Sequence, residues 1–164
     1  MMASPEEPDG SAWSRAKLDF GDAVSFAVIA DILHDSMFGM GSIEFEPVSG
    51  RFTMPLRREA TELPPRRKGC LFGLLGSEEW SLVPCVLTVL NVEAVSHSDP
   101  RLRENPWILE IEYDTARGQL RFGTEPPVEL VLDVPTLRGD LVDTGEPVWP
   151  SGEPVEPQEP TRGI

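Results

Sequence analysis

The chain has 164 residues, a net charge of −14 and 40% hydrophobic residues, a size and apolar content that suit one domain with a core and argue against wholesale disorder. With 28 acidic against 14 basic side chains, the surface repels phosphate backbones and general nucleic-acid binding is disfavoured. No apolar run approaches the ~18 residues that a bilayer span requires, and the 17 prolines and 14 glycines announce short strands and many turns.

Residues 1–17 are polar and small and read as a flexible arm that Trp13 can pin to the body. The start, Met1 to Gly10, has neither the basic nor the apolar region of a secretory signal, and two cysteines make no disulfide framework, so the expectation is cytoplasmic residence with reduced thiols. Asp22 is placed as a helix N-cap. Val24, Ala27, Val28, Ala30 and Leu33 then fall near the i, i+3, i+4 spacing of a short helix over 23–34. The β-branched Val24, Val28, Ile29 and Ile32 keep a strand there as the alternative.

After a turn-rich link, the first hairpin places Ile43 and Phe45 on one face and Glu44 and Glu46 on the other, with Gly50 at the turn. Phe52, Met54 and Leu56 return on the apolar side, and Arg51 and Arg57 on the polar side. Pro55 cannot donate to a ladder, so this strand is expected to be an edge there or to end early. Residues 59–84 show no clear period and read as a long loop, or a loop holding a short element. The stretch 85–95 is apolar on both faces until Asn91 and predicts a central strand covered on both sides. In the second hairpin Leu109, Ile111 and Tyr113 face inward, Gly118 turns the chain, and Leu120 and Phe122 return inward. A last strand is expected over 128–134, with Leu137 and Leu141 closing the domain; from 145 the chain reads as an acidic, Pro-rich disordered tail.

The two hairpins are alike. Ile43-Glu44-Phe45-Glu46-Pro47-Val48-Ser49-Gly50-Arg51-Phe52 aligns without a gap on Ile111-Glu112-Tyr113-Asp114-Thr115-Ala116-Arg117-Gly118-Gln119-Leu120. The predicted fold is therefore mainly β: an antiparallel β-sandwich or half-open barrel of two related hairpin units with one N-terminal helix. It spans 18–144 as a single globular domain between the arm 1–17 and the tail 145–164.

Groups able to do chemistry are sparse. His34 and Asp35 end the helix, and His97 and Asp99 follow the central strand; two imidazoles with two carboxylates can bind zinc or iron, and a His beside a carboxylate can be an oriented base. The histidines are 63 positions apart and lie in no His-x-x-x-His or Glu-x-x-His pattern, which favours each simply hydrogen bonding at the end of an element. Cys85 alternates with core positions, whereas Cys70 follows the basic run Arg66-Arg67-Lys68 and is the better reactive thiol, though no nucleophile motif surrounds it. Asp143-Thr144-Gly145 matches one loop of an aspartic protease, an enzyme that needs two on a much larger frame. The run from Arg66 to Gly76, basic and then apolar, either touches a membrane or partner or covers the open end of the sheet. No Gly-rich phosphate loop precedes a helix, and no catalytic residue, cofactor or metal is assigned.

The acids at a period of two, Glu44 with Glu46 and Glu110 with Glu112 and Asp114, form solvated strand faces and are the candidate surface for a basic protein partner. The expected function is a non-enzymatic binding protein; the alternative is a small hydrolase or metal-binding protein using His34, Asp35, His97 and Asp99.

One resemblance adds to this reading. Leu33-His34-Asp35-Ser36, then Ile43-Glu44-Phe45-Glu46 and the Gly50 turn, resembles the opening of a loose set of small bacterial proteins. Those carry Leu-His-Asp-(Ala/Ser) followed by an Ile-x-Phe-Asp strand, and some are similar to immunity proteins of polymorphic toxin systems. Pro84, Asn91-Val92 and Asp114 with Gly118 fit their middle and end. Glu46 stands where the set has Asp, and the loop at 59–84 is longer. The resemblance implies a β-rich cytosolic binding protein, an immunity-type inhibitor in the case of the immunity-like members, and no catalytic residue to carry across.

Overall fold

Period-two alternation is converted into a sheet wherever one face of a strand is hidden, and the chain does this repeatedly. A computed structural model describes residues 13–68, 76–97 and 105–156, and these form twelve strands and one α-helix. In chain order they are β1 (Lys17–Phe20), α1 (Ala23–Ile32), β2 (Met37–Phe38), β3 (Glu44–Glu46), β4 (Arg51–Glu59), β5 (Arg66–Lys68), β6 (Ser77–Glu79) and β7 (Leu82–Val89). β8 (Ala94–His97), β9 (Trp107–Asp114), β10 (Gln119–Glu125), β11 (Leu130–Asp133) and β12 (Gly139–Asp143) complete them.

Ten strands make one antiparallel sheet in the order β1-β12-β7-β4-β2-β9-β10-β11-β8, with β3 also on β4, and the sheet does not close into a barrel. β5 and β6 form a separate ribbon. The mainly β architecture with one N-terminal helix is thus as the sequence predicts. Phe52, Met54, Leu56, Cys85, Leu87 and Leu141 from one half of the sheet share a single buried cluster with Ile108, Leu120, Phe122, Leu130 and Leu132 from the other. Both inner faces therefore serve one core, while the opposite face exposes Arg57, Trp107 and Glu125 and buries Leu82 and Thr88.

α1 starts where Asp22 accepts from the Ser25 amide at 2.7 Å, while Ser25 Oγ accepts from the Asp22 amide at 3.2 Å. This reciprocal cap satisfies two orphan donors of the first turn. The helix hides Phe26 and Ile29, with Leu33 just past its end, and Phe26 meets Phe20 of β1 edge-on at 4.9 Å. Each such side chain contributes roughly 1.5–3 kcal/mol on burial.

The hairpin repeat is a repeat in space as well. Gly50 and Gly118 hold φ of 70° and 63°, a region costly for a residue with a Cβ. Gly50 N–H donates to Glu46 and its carbonyl accepts from Val92; Gly118 N–H donates to Asp114 and its carbonyl accepts from Val134. Each turn is thus locked by the residues just past the strand that completes a three-strand meander, β3-β4-β7 in one half and β9-β10-β11 in the other. The strand after each meander then crosses over: β8 pairs with β11, and β12 pairs with β7. The halves meet where Met37 opposes Trp107 and the Phe38 amide donates to the Pro106 carbonyl.

Several local expectations change. The strand read over 85–95 is two: β7 ends at Val89, Asn91 adopts φ 58°, and β8 leaves for the other half. Apolar composition alone does not reveal that break. β4 does not end at Pro55; it is flanked by β7 along one side and by β3 and β2 on the other, where it is open at Met54 and Pro55. β3 and β2 pair with 51–53 and 56–57, and Pro55 falls between them, where a missing donor is tolerated. Leu109 does not face inward. The β9–β10 register slips between Gly123 and Thr124, so Ile108 is fully buried and Leu109 is 45% exposed.

The chain ends also differ from the sequence reading within the described residues. Residues 17–20 of the arm and its border form β1, an antiparallel partner of β12. Part of the region expected as tail is ordered against the sheet: Val148 and Leu82 exchange hydrogen bonds of 2.9 and 2.7 Å, and Trp149 N–H donates to Glu153. Trp149 packs there as well: its ring lies 4.2 Å from the Arg66 guanidinium, which is itself bonded to Glu79 at 2.6 Å. Residues 1–12, 69–75, 98–104 and 157–164 lie outside the described residues, and with them Cys70, Asp99 and most of the Arg66-to-Gly76 run.

Candidate functional site

The solvent-facing side of the sheet gathers most of the candidate acids. Register sets a row across its centre: Arg57 of β4, Met37 of β2, Trp107 of β9 and Glu125 of β10 lie side by side. Trp107 is 40% exposed, an unusual state for an indole at the middle of a sheet. The β9 bulge sets Leu109 beside it. Bulged positions re-aim side chains, and here the bulge turns an apolar residue outward.

Acids surround this apolar centre. Glu110 and Glu112 share the strand face just beyond Leu109, and a hydrogen bond with Glu112, reinforced by its charge, holds the Glu110 carboxyl above the usual range. Glu110 lies opposite Gly123, which offers no side chain across the strand. Arg121 lies opposite Glu112 but donates to Gln119 at 3.0 Å. The Asp35 amide donates to the Ile108 carbonyl at 2.8 Å, which brings Asp35 alongside the bulge. The other candidate acids are placed differently. Asp114 is committed to its own turn, accepting from the Ala116 and Arg117 amides at 3.0 and 3.1 Å. Glu44 and Glu46 lie in the first half, opposite Thr53 and Arg51, along an open groove of about 690 Å³ that Phe45 and Pro47 also line.

Of the alternative constellation, His34, Asp35 and His97 are described, and the two histidines belong to different elements. His34 Nδ1 sits 3.0 Å from Asp35 Oδ2, both side chains about half exposed. His97 is on β8, three strands from β9, which is about 14 Å at ~4.8 Å per strand. Among the described residues no group of three or more His, Cys, Asp or Glu is placed to hold a metal ion. Cys85 is buried in the core and burial pushes its thiol up to about 12, which leaves it protonated and inert.

The Asp-Thr-Gly tripeptide has a structural explanation that the sequence did not disclose. Asp143 is 3% exposed on β12, and Arg58 of β4 meets it with Nε at 2.9 Å and Nη2 at 2.7 Å. Glu62 takes the other side of the same guanidinium at 3.1 and 2.8 Å. Burial works to lower the Arg58 pKa, but hydrogen bonds to Asp143 and Glu62 outweigh it and hold the group charged. Asp143 also accepts from the Ala16 amide at 2.8 Å, and Trp13 Nε1 donates to Glu62 at 3.2 Å. These charges join β12, β4 and the start of the described chain; they are a fastening, not a reactive centre. Trp107, Leu109, Arg58 and Asp143 are the residues that sequence reasoning missed. A glycine within an otherwise alternating strand, Gly123, was the available sign of a bulge opposite.

No family model, curated protein or solved structure matches this chain.

Proposed function

We propose that this is a non-enzymatic binding protein whose solvent-facing sheet surface docks on a basic protein. The observation that carries the reading is an exposed Trp107–Leu109 centre with Asp35, Glu110, Glu112 and Glu125 around it. Protein interfaces combine an apolar centre with a polar rim, and tryptophan is enriched among the residues that dominate binding energy. Glu44 and Glu46 extend the negative field along the first half, where they act by steering rather than by contact. A basic toxin held by an acidic immunity-type inhibitor in the bacterial cytoplasm is the form of this function that agrees with the resemblance noted above.

The test is capture from native lysate of the source cell on immobilised protein. A single basic partner whose retention falls as salt rises is the expected result, because rim charges are screened over about 8 Å at physiological ionic strength. A lysate that yields no such partner even at low salt refutes the proposal.

A further inference from the structure

Within that binding reading, on which this inference rests, the two halves of the sheet are not equivalent. At an offset of 68 positions Trp107 corresponds to Gly39, Leu109 to Gly41 and Glu110 to Ser42. The first half breaks its strand there with a 3-10 turn, Met40–Ser42, whereas the second half stays extended through a bulge. An exposed Trp-Leu pair beside paired carboxyls thus occurs in the second half only.

We infer that the Trp107–Leu109 patch is the anchor of the interface and receives an arginine side chain of a basic protein partner. The aliphatic stem would lie on Leu109 and the guanidinium between the Trp107 ring and the carboxyls of Glu110 and Glu112. Charge complementarity selects this occupant. Around the patch stand Glu110 and Glu112 on β9, Glu125 and Arg121 on β10, Asp35 and His34 from the link after α1, and Arg57 on β4. Of the cations, Arg121 is turned to Gln119 and His34 to Asp35. No ion pair links Glu110 or Glu112 to a cation among the described residues, and the proximity of Glu112 holds the Glu110 carboxyl above its usual range. A second copy of the chain would bring the same acids against them. A planar guanidinium stacks on an indole and bonds carboxylates in pairs, which a lysine ammonium does less well. Gly123, the cross-strand neighbour of Glu110, carries no side chain that would compete for the same carboxyl.

The probe is a tri-arginine peptide, with its tri-citrulline counterpart as the neutral isostere, titrated into the intact protein while the Trp107 indole N–H is followed by NMR. Tri-arginine should give a saturable shift and tri-citrulline none. Glu110→Gln with Glu112→Gln should weaken the effect at least about tenfold, the loss expected for charge-assisted hydrogen bonds. Equal shifts from both peptides, or an unchanged response in the double variant, overturn the inference. Trp107→Ala, checked for wild-type thermal unfolding, separates the two claims. If it still captures the basic partner at full strength, the anchor is overturned and the acidic docking face stands. If lysate yields no partner but tri-arginine still saturates at Trp107, the anchor is supported and the docking function falls.

Discussion

Replacing Asp143 with Ala removes the buried partner of a buried cation. The Arg58 side chain is 5% exposed and that of Asp143 is 0% exposed, so the guanidinium left behind cannot turn to water without opening the β4–β12 region. Breaking a buried pair from one side costs about 3–5 kcal/mol. Glu62, 41% exposed, keeps its two bonds to Arg58, which places the expected loss near the lower end, about 3 kcal/mol. With a urea m-value of about 2 kcal/mol/M, the unfolding midpoint should fall by about 1.5 M. The companion variant, Arg58→Met with Asp143→Leu, removes both charges together. It should recover to within about 1 kcal/mol of the parent, because desolvation of the pair offsets most of its attraction. Urea titrations followed by circular dichroism read both. A midpoint shift under about 0.5 M for Asp143→Ala, or a double variant as unstable as the single one, would refute the argument that the pair fastens the sheet without adding much net stability.

Glu62 is held below its usual range of 4.5, since the bonds from Arg58 outweigh the opposing effect of burial. A lowered folded value gives stability that is present above the unfolded value and lost as pH falls through the folded one, so the urea midpoint should drop more steeply below pH 4.5 in the parent than in Glu62→Gln. Glu110 is raised by its neighbour, so Glu112→Gln should bring the Glu110 titration down toward the ordinary carboxyl value, as followed by NMR of its side-chain carbon; an unmoved titration would mean the two carboxyls do not interact. In a Cys70→Ser background, Cys85 should resist a thiol reagent at pH 8 in the native protein and react fully once unfolded, as its thiol pKa of about 12 and burial require. Gly139→Ala would drive a Cβ into the Thr88 carbonyl oxygen, so it should destabilise by about 2 kcal/mol or more in a thermal or urea melt; a neutral result would show that β7 and β12 can separate freely.

Much of the fold was legible because its elements are written locally. Ile43-Glu44-Phe45-Glu46 and Ile111-Glu112-Tyr113-Asp114 alternate at the strand period, Gly50 and Gly118 supply the turn conformation, and Asp22 with Ser25 marks the helix start. These features need no knowledge of what lies across the molecule, and the outward direction of Glu110 and Glu112 followed from them. What the chain's own order did not contain is which strands become neighbours. β8 and β12 are short, and each pairs with the meander of the opposite half, a choice set by the shared core rather than by any adjacent residue. Two outcomes depend on that choice. Asp143 becomes the buried partner of Arg58, 85 positions away. His97, on β8, ends far along the strand order from β2, which follows His34. Leu109 was reversed by a single unpaired residue, since one extra position in a period of two exchanges inside for outside. Side-chain alternation is a property of the strand by itself, while pairing and register are properties of two strands at once, and only the folded chain decides the second.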